Sequence, residues 1–97
     1  MYYNIFLEMK NSDEIKKYLN LESVEAAKKQ MDAILGGEIK EADIQEIKII
    51  ETSTITEGDY TLLKRFVKET ELYGEKFFNE KYPFYYAKDI TNDIIKK

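Results

Sequence analysis

Residues 15–21, IKKYLNL, decide between two architectures for this chain. Read with a period of two, Ile15, Lys17, Leu19 and Leu21 share one side, and the segment forms a hairpin with the apolar run before it. Read with a helical period, Ile15, Tyr18 and Leu19 share a face, and Asn11 followed by Glu14 resembles a capping box. The hairpin is favoured. It implies three strands, whereas the helix leaves only two.

On the N-terminal side, residues 2–9 (YYNIFLEM) are bulky, apolar-rich and too short for an independent helix, and they read as a strand. The turn between the two strands is Lys10-Asn11-Ser12-Asp13. On the C-terminal side, Ser23 suits a helix N-cap and Glu25 suits the positive end of the helix. Val24, Ala27, Met31, Ile34 and Leu35 recur at helical spacing until Gly36-Gly37 stops them. The spacing predicts an amphipathic helix over 24–35.

Glu38 to Asp43 is an acidic connector. Ile44 to Ile55 is rich in β-branched residues, with Ile47 and Ile49 on one face and Ile44 and Ile50 on the other. That pattern predicts a central strand with both faces covered. Thr56-Glu57-Gly58-Asp59 carries both a turn glycine and a capping pattern. The stripe Leu63, Phe66, Val67, Thr70, Tyr73 and Phe77 then predicts a long helix over 59–80, weakened at Gly74 and ended by Pro83. Phe84-Tyr85-Tyr86 reads as an extended or turning segment, and Ala87, Ile90 and Ile94 as a short terminal helix.

The expected fold is therefore a single α+β domain over residues 1–97. A three-stranded antiparallel sheet is covered by two main helices, in the order β-β-α-β-α-α. The helical reading of residues 15–21 gives β-α-α-β-α-α with two strands.

Composition narrows function further. At 97 residues, 43% of them hydrophobic, the chain has material for one globular core. With no cysteine there is neither a disulfide framework nor a thiolate metal site, and the cytoplasm is the expected compartment. Residues 1–10 have no basic n-region and no apolar run long enough for a signal or a membrane span. Fourteen lysines against one arginine, with abundant isoleucine, tyrosine and asparagine, match the coding bias of a low-GC bacterium or its phages and plasmids.

Histidine is absent as well, which removes the commonest general base and transition-metal ligand and rules out Cys-His and Ser-His-Asp nucleophiles. A carboxylate pair needs a cleft that so short a chain has little material to build. Glu38, Glu41, Asp43 and Glu46 follow no EF-hand spacing, and no phosphate-loop pattern occurs. The expectation is a non-enzymatic protein without metal or cofactor.

Charge is unevenly spread: residues 1–37 net −1, residues 38–59 net −5 and residues 60–97 net +2. The basic last third holds seven aromatic residues between Tyr73 and Tyr86. Tyr73 and Phe77 continue the helix stripe and are expected in the core. Phe78, Tyr82, Phe84, Tyr85 and Tyr86 cannot all point one way, so some are expected to be at least partly exposed, and Tyr82, Phe84, Tyr85 and Tyr86 are the expected anchors for a protein partner. Glu38, Glu41, Asp43 and Glu46 would form a complementary acidic rim.

The favoured function is a protein-binding module, such as a small acidic inhibitor, immunity or adaptor protein. The alternative is a winged-helix-like nucleic-acid-binding accessory protein using Lys64, Arg65, Lys68, Lys76, Lys81, Lys88, Lys96 and Lys97 with the interleaved aromatics. A homodimer formed through a strand edge or the aromatic segment is a third possibility.

Overall fold

The computed structural model describes residues 1–57 and 60–95. Residues 15–21 are a strand. Strands β1 (Tyr2–Met9) and β2 (Ile15–Leu21) pair antiparallel, β1 also pairs antiparallel with β3 (Ile44–Thr52), and β3 with β4 (Ala87–Asp89). The sheet order is β2-β1-β3-β4. The chain is α+β as expected, but with four strands rather than three. Ala87 to Asp89, expected to open the terminal helix, form the fourth strand, and only Thr91–Ile94 (α4) are helical.

The other helices are α1 (Val24–Ala33), α2 (Thr61–Tyr73) and α3 (Glu75–Lys81). The Ser23 side chain caps α1 by accepting the Ala26 N–H at 3.0 Å. After Ala33 the helix widens into a π-turn over Ile34–Glu38, in which Gly37 takes φ 138° and the Ile39 N–H returns to the Ile34 carbonyl at 3.1 Å. Glycine is what permits that stop. Leu35, expected on the buried stripe, is exposed as a result.

Both faces of the sheet are covered. On one, Tyr3, Ile5, Leu7, Ile47 and Ile49 pack with Ala27, Met31 and Ile34 of α1 and its π-turn, together with Ile90. On the other, Phe6 and Ile50 pack with Leu63 and Phe66 of α2, Phe78 of α3 and Ala87. Phe66 and Phe78 meet edge-on, centroids 5.1 Å apart, a geometry worth about 1 kcal/mol beyond the area it buries.

Two irregularities move side chains across the sheet. Between Glu8↔Glu46 and Met9↔Ile44 the register shifts, leaving Gln45 as the extra residue. A bulge residue inverts the alternation, so Ile44 joins Ile47 and Ile49 instead of lying opposite them. The second shift lies between Tyr3↔Leu21 and Ile5↔Tyr18, where Asn20 takes φ 61°. It sends Leu21 to the α1 face while Leu19 stays with Phe6. Buried Asn4 supports this bulge: its Oδ1 accepts the Asn20 N–H at 3.0 Å, and its Nδ2 donates to the Ile50 carbonyl and the Thr52 hydroxyl. β3 ends at Thr52, and Ile55 lies exposed in the following loop.

The long helix expected over 59–80 is two helices. Gly74, with φ 89° and ψ 163°, is both the last cap of α2 and the first of α3. The break changes which residues of the second half face the core. Phe78 is fully buried and Phe77, expected inside, is exposed; Tyr73, at the end of α2 and also expected inside, is 64% exposed, its ring tilted against that of Phe77 with centroids 4.8 Å apart. Asp59, the expected helix start, and the Gly58-Asp59 part of the turn before it lie outside the described residues.

Candidate protein-binding surface

Pro83 cannot continue a helix, and α3 ends at Lys81. The Tyr85 N–H donates to the Tyr82 carbonyl at 3.1 Å, closing a turn from Tyr82 to Tyr85 that leads directly into β4. The structure sorts the four expected anchors by this turn. Tyr82 and Tyr85 fold back onto Phe78, with centroids 4.8 and 6.1 Å away, and pack, partly buried, against the core of the α2–α3 face. The Tyr82 hydroxyl accepts from Arg65 Nη1 at 3.0 Å. Burial pushes the Tyr85 phenol above its ordinary pKa.

Phe84 is 99% exposed at the tip of the turn. Tyr86 is exposed as well, and its hydroxyl donates to Glu51 Oε1 at 2.7 Å. That carboxylate, with some burial, pushes the Tyr86 phenol up to about 12. Tyr3 sits opposite Glu51 across the β1–β3 ladder, and its phenol is raised by burial first and by the same carboxylate second. Phe84 thus projects from a turn whose neighbours are fixed on both sides.

The expected acidic rim is divided. Glu38 accepts the Tyr18 hydroxyl at 2.9 Å, and burial followed by this contact raises the Tyr18 phenol. Glu41 and Asp43 are exposed on a short 3-10 turn, Glu41–Asp43. Glu46 bonds Lys48 at 3.3 Å. Partial burial works against the Lys48 charge, but Glu46, Asp89 and Glu71 outweigh it and its pKa ends above the usual value.

Glu41 and Glu46 line an open groove of about 760 Å³ beside the lower half of β3, together with Asp89 and Asp93. Glu38 and Asp43 do not line it. β4 separates this groove from the Phe84 turn. From Thr52, opposite Ala87, to Gln45 is a span of roughly 23 Å at the usual rise per strand residue. The aromatic tip and the acidic groove therefore share one edge of the sheet.

Sequence reasoning missed Asp89 and Asp93, because their relation to Glu41 depends on β4 lying beside β3. It also missed a second, apolar groove of about 540 Å³ between α2 and the uncovered end of the sheet. Phe6, Ile15, Tyr60 and Val67 line it, with Lys64 and Lys68 on the α2 wall. Lys17 and Lys64 stand 4.4 and 5.2 Å from the centre of the Tyr60 ring.

Among the described residues, the basic residues of the nucleic-acid alternative are spread over several elements, with Arg65 and Lys81 meeting at Tyr82. Lys64, Arg65 and Lys68 are at this groove, Lys76 pairs with Glu80 at 3.9 Å, Lys81 with Glu69 at 3.4 Å, and Lys88 lies on β4. Lys96 and Lys97 lie outside the described residues.

Among the described residues no cluster of three or more acidic side chains is arranged to hold a metal ion, and no helix is long and apolar enough to cross a membrane. No family model matches the chain, and neither the curated proteins nor the solved structures contain a match to it.

Proposed function

We propose that this is a non-enzymatic protein-binding module, of the inhibitor, immunity or adaptor kind, that acts by occupying a partner's surface. The observation that carries the reading is Phe84. A phenylalanine left 99% exposed forgoes all the stabilisation its burial would bring. Its immediate neighbours are held by the Tyr82–Tyr85 turn and the Tyr86–Glu51 hydrogen bond. An exposed aromatic ring carried on a backbone held in this way has only its two side-chain torsions to order on binding, which suits an interface anchor.

The compartment is the cytoplasm on this reading, and the source a low-GC bacterium or one of its mobile elements. The coding bias and the absence of cysteine support that part.

A photoreactive phenylalanine analogue at position 84, irradiated in the source cell, tests the proposal. A discrete cross-linked protein is expected from position 84 and none from an equally reactive probe at exposed Ile55. Equal labelling from both positions would contradict it.

A further inference from the structure

The lower half of β3 is an unpaired sheet edge. β4 contributes three residues, pairing with Ile50, Glu51 and Thr52. The Ile90 N–H then donates to the Ile49 carbonyl at 2.9 Å, and the Ile49 N–H donates to the Thr91 hydroxyl, also at 2.9 Å. There α4 begins and the chain leaves the sheet. Strand residues two apart point their backbone groups the same way, so the N–H and C=O of Ile47 face outward in line with those of Ile49. Among the described residues nothing pairs with them. They open onto the 760 Å³ groove, whose ionisable lining among the described residues is Glu41, Glu46, Asp89 and Asp93 against Lys48.

We propose that this edge receives an extended, cationic segment of a protein partner, which adds to the sheet as a strand in line with β4. Two independent features select that occupant. The outward N–H and C=O of Ile47 recognise an extended backbone, the mode by which sheet edges take up peptides. Four carboxylates against one ammonium favour lysine or arginine side chains on that segment.

Lys48 bridges Glu46 at 3.3 Å and Asp89 at 3.8 Å, which neutralises the inner pair in part. Glu41 and Asp93 make no ion pair among the described residues, and they are left to meet incoming cations. The Gln45 bulge limits the free ladder to a few residues, so side-chain charge must supply much of the affinity. The inference rests on the protein-binding reading and names the chemistry of the partner.

The test is amide hydrogen exchange at Ile47, followed by NMR with defined probes. These are a short end-blocked peptide alternating lysine and valine, its glutamate–valine counterpart, and a lysine–proline version of equal charge that cannot donate along a ladder. The lysine–valine peptide is expected to slow exchange at Ile47 by on the order of tenfold. Paired Glu41→Lys and Asp93→Lys substitutions should weaken that peptide at least about tenfold.

No protection at Ile47 by the lysine–valine peptide would overturn the proposal. Equal binding by the glutamate peptide would overturn the charge argument, and equal binding by the proline peptide the strand argument. Concentration-dependent protection without any peptide would show a second copy on the edge instead. None of these outcomes depends on position 84, so failure here and failure of the Phe84 cross-link are separate results.

Discussion

The Thr91 hydroxyl accepts the Ile49 N–H at 2.9 Å, in the place where a further residue of β4 would have offered a carbonyl. The same hydroxyl donates to Asp89 Oδ1 at 2.6 Å, and the Thr91 N–H donates to that oxygen at 2.9 Å. One side chain thus ends the ladder at the point where α4 begins, and the edge of β3 beyond it is left exposed.

Thr91→Val removes the acceptor while keeping the shape. It should destabilise the fold by about 1–2 kcal/mol, the cost of stranding a part-buried N–H. In urea denaturation the midpoint should fall with the slope unchanged, and Thr91→Ser should retain most of the wild-type midpoint. Equal midpoints for the valine and wild-type proteins would show that the contact carries no stability.

Gly74→Ala places a Cβ on a backbone with φ 89° and ψ 163°, although the space around it is open. The penalty is therefore conformational, about 1–3 kcal/mol. A lowered melting temperature with an unchanged near-native spectrum is expected. A melting temperature at or above wild type would mean that α2 and α3 can fuse into one helix.

Much of this was legible in the sequence, and the misses have local causes. The strands at 2–9 and 15–21, the Ser23 cap and the glycine stop followed from periodicity and capping chemistry alone. A regular helix carried through Gly74 misplaces Phe77, because the positive-φ backbone there redirects every later side chain; Tyr73 ends α2 ahead of that break and is exposed on its own account. Ile44 and Leu21 crossed the sheet at bulges that alternation cannot foresee. β4 is three residues long and held by long-range pairing with β3, so residues 87–89 carry no strand signal of their own. The site divided along the same lines. That some of Tyr82 to Tyr86 must be exposed was deducible, but which ones depended on the position of Phe78.

Tyr86 should titrate late. Its folded pKa of about 12 lies above the ordinary value of 10.0, so the native state holds the phenolic proton more tightly than the unfolded chain. The resulting stability is fully present below pH 10 and is lost as pH rises through about 12. Tyrosinate absorbance should show a component near pH 12 that Tyr86→Phe removes and Glu51→Gln moves to lower pH. An unchanged titration in both variants would contradict the contact.

Phe84 and Phe78 should behave oppositely on truncation. Phe78→Ala opens a cavity under two tyrosines and Phe66 and should cost about 3–5 kcal/mol. Phe84→Ala should change stability by less than about 0.5 kcal/mol, because the side chain is in solvent in the free protein. Chemical denaturation of the two variants decides this. A large loss in Phe84→Ala would place the ring in the fold rather than in an interface.

The most direct measurement is the affinity of the cross-linked partner, once isolated, for wild-type protein and for Phe84→Ala at matched concentration and salt. The substitution should weaken binding roughly thirtyfold, the effect of losing an anchor worth about 2 kcal/mol, while the fold is retained. Affinities within twofold of each other, for two equally folded proteins, would contradict it.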